Sequence, residues 1–383
     1  MRLRVRNEAL QFVREVEFRS ADLRVRWNRP STFTVEMAAD QAEGLRRGSG
    51  LVFDLSGQVI LSGLVHTRSR RDDRDDDVVE LIGRCDMWRL KGRLVFPDPD
   101  EPADGAQPDR WDRSGPAGEV LAEMVELNAG PSARTERVID ALTVDDATGV
   151  GDSVRARRRF PVLSEEIERL GRQGGVVCRL RQPSTTPQMQ FTVTEQADRS
   201  RLVVFSEARG NLYGYDVESE HPQTTVAIVG GPGEASEREV REHEDAGLTS
   251  EFGRWESWVD ARNAAAEDDD PSDINDALED EGLQHLDDHG PQEHIAVDTV
   301  ETSSSRWLDH WDVGDLVTVE VDGLRLTKTV EAVEVQVSAG DGPDGGPVVV
   351  ATPVLGRQSP RSQLKMLARL GEVERSVAAK GKE

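Results

Sequence analysis

The sequence predicts a mainly β protein with α+β inserts, on three observations. Apolar and polar residues alternate in short runs along most of the chain, as in strands with one solvated face. Helical spacing of apolar residues is confined to residues 97–200, to an acidic stretch within 246–290 and to the C-terminal segment. Two hairpin-like segments, far apart in the chain, resemble each other. The length of 383 residues suits more than one domain.

Residues 1–96 have the pattern of an antiparallel sheet. Ser56-Gly57 lies between two apolar runs and predicts a two-residue hairpin turn. A later run, Val78–Ile82, continues through Cys85 and Trp88 to Leu94, so about six strands are expected and a small barrel or sandwich is predicted. The alternating positions are Leu3 and Val5; Leu23, Val25 and Trp27; Phe33, Val35 and Met37; Leu51, Phe53 and Leu55.

Residues 97–200 are predicted to form a small α+β insert. The first part, 97–116, holds five Pro and many acids without any period, which indicates an exposed connection. Two helices should follow, one ending before Gly130 and one starting near Pro161. Strands are expected at 176–180 and 189–193. The apolar helix positions are Val120, Leu121, Met124, Val125 and Leu127 in the first helix and Leu163, Ile167 and Leu170 in the second.

Strand patterns return at 201–245 and again at 291–356, and an acidic helical insert at 246–290 separates them. From Asp260 to His289 there are twelve acidic residues against Arg262 alone. A block of like charges repels itself, so this stretch is expected in solvent or facing a wet channel.

The two hairpin segments suggest an internal duplication. Gly48–Leu64 reads GSGLVFDLSGQVILSGL, and Gly314–Val330 reads GDLVTVEVDGLRLTKTV. When Gly57 is placed on Gly323, an offset of 266, apolar strand positions coincide in both segments. Any two hairpins share some of this pattern. The preferred interpretation is a duplicated barrel whose second copy, 201–245 with 291–356, is split by the acidic insert.

The charge balance argues against a nucleic-acid clamp. The chain has 47 basic and 73 acidic residues, a formal charge of -26, whereas binding phosphates requires a clustered basic surface. Two explanations remain open. Excess acid keeps a large protein in solution, or it is an adaptation to high salt, where screening weakens repulsion between carboxylates.

No motif for catalysis, cofactor binding or metal binding emerges. Cys85 and Cys178 lie in apolar strand-like runs, which predicts small core residues. His285 and His289, four apart and followed by His294, have helical metal-ligand spacing but lack the Glu of a zincin motif, so whether they bind a metal stays open. His66 and His310 are expected at the edge of the core. The chain has neither a GxSxG sequence nor a phosphate-binding loop.

The C-terminal residues 357–383 have more basic than acidic side chains, unlike the rest of the chain, and are predicted to form a basic helix or tail. Their apolar positions Leu364, Leu367 and Leu370 suit either a docking element or a frayed terminus. No apolar run approaches the roughly 18 residues of a membrane span, and the N-terminus lacks the pattern of a signal peptide.

Several segments together resemble the siphovirus Gp37-like tail proteins, within the tail or baseplate hub group of tailed phages and contractile injection systems. The similarity covers about residues 1–355 and depends on the order of segments rather than on a catalytic motif. It is carried by FTVEMAADQAEGLRRGSGLVFDLSGQVILSGLV, FSEARGNLYGYDVESEHPQTTVAIVGGPGE, GRWESWVDAR and WDVGDLVTVEVDG.

This resemblance implies a structural virion protein of a bacteriophage or archaeal virus, assembled in the host cytoplasm and located at the tail tip. It implies a homotrimer with two tube-like β-barrels in each chain, so that a threefold ring presents a sixfold face to the tail tube. Implied partners are the tail tube or distal tail protein, spike or fibre proteins and the tape measure protein. DNA would pass through an acidic lumen without specific binding during genome ejection.

Two rival functions remain. One is a wall-degrading tail enzyme that uses acidic residues of the middle insert, although no domain-sized segment follows Pro353 to carry a lysin. The other is a glycan- or receptor-binding tail protein. The tryptophans Trp255, Trp258, Trp307 and Trp311 are expected in the core or in contacts between domains or subunits.

Overall fold

The structure is a computed structural model that describes residues 1–73, 76–108, 110–234, 238–262, 270–321, 323–340 and 347–356. Within these ranges, the side chains at 72, 73, 76, 217–219, 273, 292–294 and 296 are not described. The predicted basic C-terminal helix, residues 357–383, therefore lies outside the described residues.

The protein is mainly β, as predicted. The strands are β1 Arg2–Arg6, β2 Phe12–Val16, β3 Ser20–Arg26, β4 Thr32–Ala38, β5 Gly50–Leu55, β6 Gln58–Asp73, β7 Asp76–Cys85, β8 Trp111–Pro116, β9 Leu142–Val144, β10 Ser153–Arg158, β11 Val176–Arg181, β12 Met189–Glu195, β13 Val204–Ser206, β14 Leu212–Glu220, β15 Val226–Gly230, β16 Val240–Glu244, β17 Glu256–Asp260, β18 Gln292–Thr299, β19 Leu316–Val321, β20 Leu324–Ser338 and β21 Val348–Leu355. The α-helices are α1 Ala117–Asn128, α2 Leu163–Gln173, α3 Ala246–Phe252 and α4 Pro271–His289. Short 3-10 helices occupy Asp86–Gly92 and Glu207–Arg209.

The chain divides into two compact units. Unit 1 consists of Met1–Asn211 with Thr299–Val354, and the described part of unit 2 is Leu212–Asp298 with the short end 355–356. No helix among the described residues is long and apolar enough to cross a membrane.

Unit 1 is built on one long sheet path, in the order β21-β20-β3-β4-β7-β6-β5-β1-β2. The pairs from β20 to β2 along this path are antiparallel, and β19 with β13 extends it beside β20. The predicted inward residues Leu23 of β3 and Phe33, Val35 and Met37 of β4 are almost fully buried, whereas Val25 of β3 is half-buried. Among the described residues this path does not close on itself, so the two tube-like barrels stay a prediction.

Two hairpins at matching positions flank the centre of this sheet. In the first, Leu55 pairs with Gln58 across the Ser56-Gly57 turn, whose φ angles of 54° and 89° are those of a type I′ turn. In the second, Val321 pairs with Leu324, and Gly323 has φ 77°. The residue numbers of the two closing pairs differ by 266, the offset predicted from the sequence. This confirms two hairpins in equivalent register. The second strand of each hairpin is long and also pairs with another strand, β6 with β7 and β20 with β3.

The α+β insert also folds largely as predicted. The helices α1 and α2 pack on each other, and strands β11 and β12 form a sheet with β9. The expectation of an exposed connection at 97–116 is wrong at its end, because β8 pairs with β10 and Trp111 is almost fully buried. Trp88, expected in a strand, lies in the 3-10 helix Asp86–Gly92.

Unit 2 combines the acidic stretch with strands that the sequence assigned to the second barrel. β15 pairs with β16 on one side and, in parallel, with β17 on the other, and α4 packs on this three-stranded sheet. Hydrogen bonding thus groups 226–230 and 240–244 with 256–260 of the acidic stretch. The predicted domain boundaries, 245/246 included, stay predictions.

The core of unit 2 is small. It consists of short apolar side chains from one face of the sheet and from α4, and Val259 packs against it. Its buried residues are Ala227, Val229, Ala261, Ile274, Ala277, Leu278 and Leu286. The acidic side chains of α4 that the structure describes lie outside this core at exposed or half-exposed positions, as the sequence predicts.

Candidate functional site

The histidines do not assemble a catalytic or metal site among the described residues. His285 and His289 stack on α4 with ring centroids 4.0 Å apart, and Nδ1 of His289 lies 3.0 Å from the carbonyl oxygen of His285. The side chain of His294 is outside the described residues. Within them, no group of three or more His, Cys, Asp or Glu side chains is arranged to hold a metal ion.

The other candidate residues take structural positions. Cys85 and Cys178 are free and buried in the core, as predicted, and burial raises the pKa of both thiols. The imidazole of His66 packs edge-on against Trp88 with centroids 4.4 Å apart. The Nδ1 atom of His310 accepts a hydrogen bond from the backbone nitrogen of Arg306 at 3.1 Å.

A buried charge network joins the sheet of unit 1 to the α+β insert. Arg6 and Asp86 form an ion pair with side chains that are 0% exposed. The hydroxyl of Ser62 donates to the second oxygen of Asp86 at 2.6 Å. Gln182, just after β11, donates its backbone N–H to Ser62 at 2.8 Å and accepts from Arg6 at 3.0 Å. Direct contacts thereby join residues from β1, β6, the 3-10 helix and the insert.

The electrostatics of this network favour its charged form. Burial by itself would raise the pKa of Asp86, but the charge and hydrogen bond of Arg6 and the hydroxyl of Ser62 hold that pKa below its usual value. A buried pair of this kind tolerates poorly the loss of one partner, since the other charge is then left unpaired in the core.

The sequence pattern did not reveal this network. In RLRVR the alternation places Leu3 and Val5 inward and would leave Arg6 outward. However, the register between β1 and β2 shifts between Val5 and Arg6, and Arg6 is 2% exposed. The extra residue of this irregularity is Val13 of β2, and β1 pairs with β5 without a shift, so Arg6 keeps its direction away from Leu3 and Val5. It is buried because Gln182 of the insert and Asp86 contact it on that side, which no local pattern signals.

Further buried polar contacts fix the insert at a second place. The side chain of Asn28 donates to the carbonyl of Val176 at 2.9 Å and accepts from the backbone N–H of Cys178 at 2.7 Å. Trp27 donates its indole N–H to the same carbonyl at 3.0 Å. The turn after β3 therefore completes the hydrogen bonding of β11.

The exposed aromatic surface of the molecule lies in unit 2. Trp255 and Trp258 are 51% and 54% exposed, whereas Trp307 and Trp311 are buried in unit 1 as expected. Gly230 leaves room for the ring of Trp258, since a Cβ there would lie 2.4 Å from it. The guanidinium of Arg238 stands 5.1 Å from the centre of this ring.

We call the sheet face with Trp258 the tryptophan face. Alternation along β17 places Trp258 on the side opposite Val259, which packs against the core. Ion pairs border this face, Arg254 with Glu242 and Glu256, and Arg238 with Asp260. Exposed aromatic area with a charged rim is typical of an interaction surface.

Comparison with known families and structures identifies the chain. Residues 2–348 match the profile of the siphovirus ReqiPepy6 Gp37-like proteins. The chain belongs to this family. No curated protein matches the sequence significantly.

Solved structures show that this Gp37-like protein has the fold of phage tail proteins. It aligns with the tail protein from Neisseria meningitidis MC58 at a TM-score of 0.55 and 13% identity, covering 93% of this chain and 96% of that one. The 43 kDa tail protein of prophage MuSo2 from Shewanella oneidensis gives a TM-score of 0.55 and 12% identity, covering 93% and 98%. The prophage tail protein gp18 from Listeria monocytogenes EGD-e gives 0.52 and 11%, covering 98% and 100%.

Proposed function

We propose that this Gp37-like protein is a structural hub at the tip of a viral tail. In this proposal three copies form a ring at the distal end of the tail tube. The ring presents a sixfold face to the tube and a threefold face to the spike or fibre proteins, and it acts without catalysis.

The observation that carries the proposal is the pair of equivalent hairpins in unit 1. The closing pairs Leu55 with Gln58 and Val321 with Leu324 have the same register at an offset of 266. Two equivalent β elements in each of three chains make six, which is what a sixfold partner requires of a threefold ring. Membership of the Gp37-like family and the tail-protein fold support the same assignment.

The acidic composition suggests a property of the channel wall in this proposed ring. A ring of three chains would carry three times the formal charge of -26. Carboxylates on a channel wall repel the phosphates of DNA, so that the genome passes without being retained. A neutral or basic wall in the assembled ring would contradict this part.

The test is the stoichiometry of the protein alone and in virions. Native mass spectrometry at low and high salt should give a trimer, three times 42.3 kDa or about 127 kDa. Quantitative mass spectrometry of purified virions should give three copies per virion, half the number of subunits in one hexameric ring of the tube. A monomer that is absent from virions and cleaves host envelope material would support the enzyme alternative instead.

A second candidate function is recognition of a host-surface glycan, favoured by the tryptophan face. Exposed indole rings bordered by polar groups stack on sugar rings. Binding to host envelope fragments that is lost in Trp258→Ala and kept in Trp88→Phe would support it. Equal binding by both variants would remove it.

A further inference from the structure

A narrow cleft in unit 1 lies where three parts of the chain meet. Its volume is about 50 Å³, and its walls come from the central sheet, from strand β11 of the insert and from the segment 307–313. Apolar side chains and the buried thiols of Cys85 and Cys178 form much of the lining. Four arginines also line it, Arg26, Arg29, Arg179 and Arg181.

Two of these arginines already have carboxylate partners. Arg29 pairs with Glu168, and Arg179 pairs with Asp312 at 2.7 Å. The charge of each of these two arginines is thus balanced by a carboxylate.

The other two, Arg26 and Arg181, have no ion pair among the described residues. Each guanidinium makes one hydrogen bond, to a backbone carbonyl: Arg26 to Pro30 at 3.2 Å and Arg181 to Val59 at 2.7 Å. A guanidinium has five N–H donors, so most donors of both groups are unused by the protein. The nearest acids are engaged elsewhere, since Glu334 pairs with Arg24 and Asp312 with Arg179.

Both groups remain charged at neutral pH and carry an electrostatic penalty. Burial, together with the neighbouring charges of Arg24 and Arg29, lowers the pKa of Arg26 to about 10. Burial and the charge of Arg179 lower that of Arg181 to about 10. Both residues are half-buried, so each guanidinium has lost part of its hydration, and an opposite charge or hydrogen-bond acceptors would compensate that loss.

We propose that this cleft binds a small oxyanion of the size of phosphate or sulfate, held by Arg26 and Arg181. A water needs about 10–15 Å³ of such volume, so 50 Å³ holds roughly three to five waters or one tetrahedral oxyanion. The planar fork of arginine matches the oxygens of these anions and binds them through two parallel hydrogen bonds.

The consequence of binding would be a stronger junction within unit 1. Arg26 lies at the end of β3, Arg181 at the end of β11, and the segment 307–313 contributes to the same cleft wall. An anion that binds both guanidiniums would bridge the central sheet and the insert, as the hydrogen bonds of Gln182 with Arg6 and Ser62 do elsewhere.

The experiment is a calorimetric titration of the full chain with inorganic phosphate and, separately, with sulfate. The protein is first dialysed into chloride buffer, and chloride keeps the ionic strength constant. We expect saturable binding of one ion per chain and a matching rise of the thermal unfolding midpoint. Arg26→Met and Arg181→Met should each weaken binding at least tenfold.

The matched control is Arg325→Met, which removes an exposed arginine of β20 that pairs with Glu320 and does not line the cleft. It should bind the ion like the unchanged protein. If a Met variant does not fold, the test uses Arg181→Lys, which keeps the positive charge but lacks the two parallel N–H donors of the guanidinium. Weaker binding of the ion by this variant supports the site, and unchanged affinity contradicts it. Absence of saturable binding, or equal loss in the Arg325 control, would overturn the proposal.

Discussion

Unit 1 and unit 2 of this Gp37-like protein differ in their balance of acidic and basic residues. Unit 1 contains 36 basic and 45 acidic residues, whereas Leu212–Asp298 contains 4 basic and 25 acidic ones. The segment Leu212–Asp298 therefore carries a formal charge of -21 in less than a quarter of the chain, whereas the whole chain carries -26. The protein is not uniformly acidic.

The difference follows from what each unit can bury. Unit 1 has a large core, and its charges are paired to the point that Arg6 and Asp86 lie inside it. Unit 2 has a small core of mainly short side chains and keeps its acids on the surface of α4 and of the neighbouring loops. Unit 1 should therefore depend on specific pairs, and unit 2 on the ionic strength of the solvent.

The largest expected effect is the loss of the buried pair in unit 1. Asp86→Ala leaves Arg6 unpaired in the core and should lower the free energy of unfolding of unit 1 by about 3–5 kcal/mol. Urea unfolding followed by tryptophan fluorescence measures this, since five of the seven tryptophans belong to unit 1.

The control for that variant is Glu320→Ala, which removes an exposed ion pair with Arg325 in the same unit. It should change the free energy of unfolding by less than about 0.5 kcal/mol. A loss below about 1 kcal/mol in Asp86→Ala would show that the network contributes little.

The next effect concerns salt and unit 2. Raising potassium chloride from about 0.05 M to about 1 M shortens the Debye length from roughly 14 Å to 3 Å and screens repulsion among the acids. Backbone amides of α4 should then exchange with deuterium about tenfold more slowly, on the order of 1.4 kcal/mol.

Backbone amides of the central sheet of unit 1 serve as the internal reference for the effect of salt on hydrogen exchange. Their exchange should change much less, because the net charge of unit 1 is -9 over a far longer chain. Equal slowing in both units would mean that salt acts generally and not through the acidic surface.

The smallest expected effect is a pH dependence of unit 2. Burial lowers the pKa of His243, with Glu279 opposing and Arg241 adding to the shift. Burial and the neighbouring His289 lower the pKa of His285, and Asp288 opposes this shift. Imidazole titrates near 6.5 in an unfolded chain, so below about pH 6.5 the unfolded state binds more protons than the folded one.

The free energy of unfolding of unit 2 should accordingly be highest above about pH 7.5 and decrease as the pH falls toward about 5.5. Hydrogen exchange of α4, corrected for the intrinsic rate at each pH, measures it. The double variant His243→Gln with His285→Gln should flatten the profile. Unit 1 has His66 with a pKa lowered by burial and Arg84, and should show a weaker dependence.

Local patterns predicted many of the elements in both units. Ser56-Gly57 marked a hairpin because a type I′ turn requires positive φ at both positions, and the apolar spacing of Leu163, Ile167 and Leu170 marked α2. These signals are contained in a few neighbouring residues. Trp111 was missed because its burial depends on pairing between β8 and β10, in which Trp111 pairs with Arg158, 47 residues later in the chain.

The sequence by itself determined the class of fold, the two equivalent hairpins and the concentration of acid near α4, because turn chemistry, periodicity and charge are local properties. Only the tertiary structure decided that β15 pairs with both β16 and β17, that Arg6 lies inside the core, and that Arg26 and Arg181 line one cleft. Those facts depend on contacts between residues far apart in the chain, which arise when burial and register are satisfied for the whole unit at once.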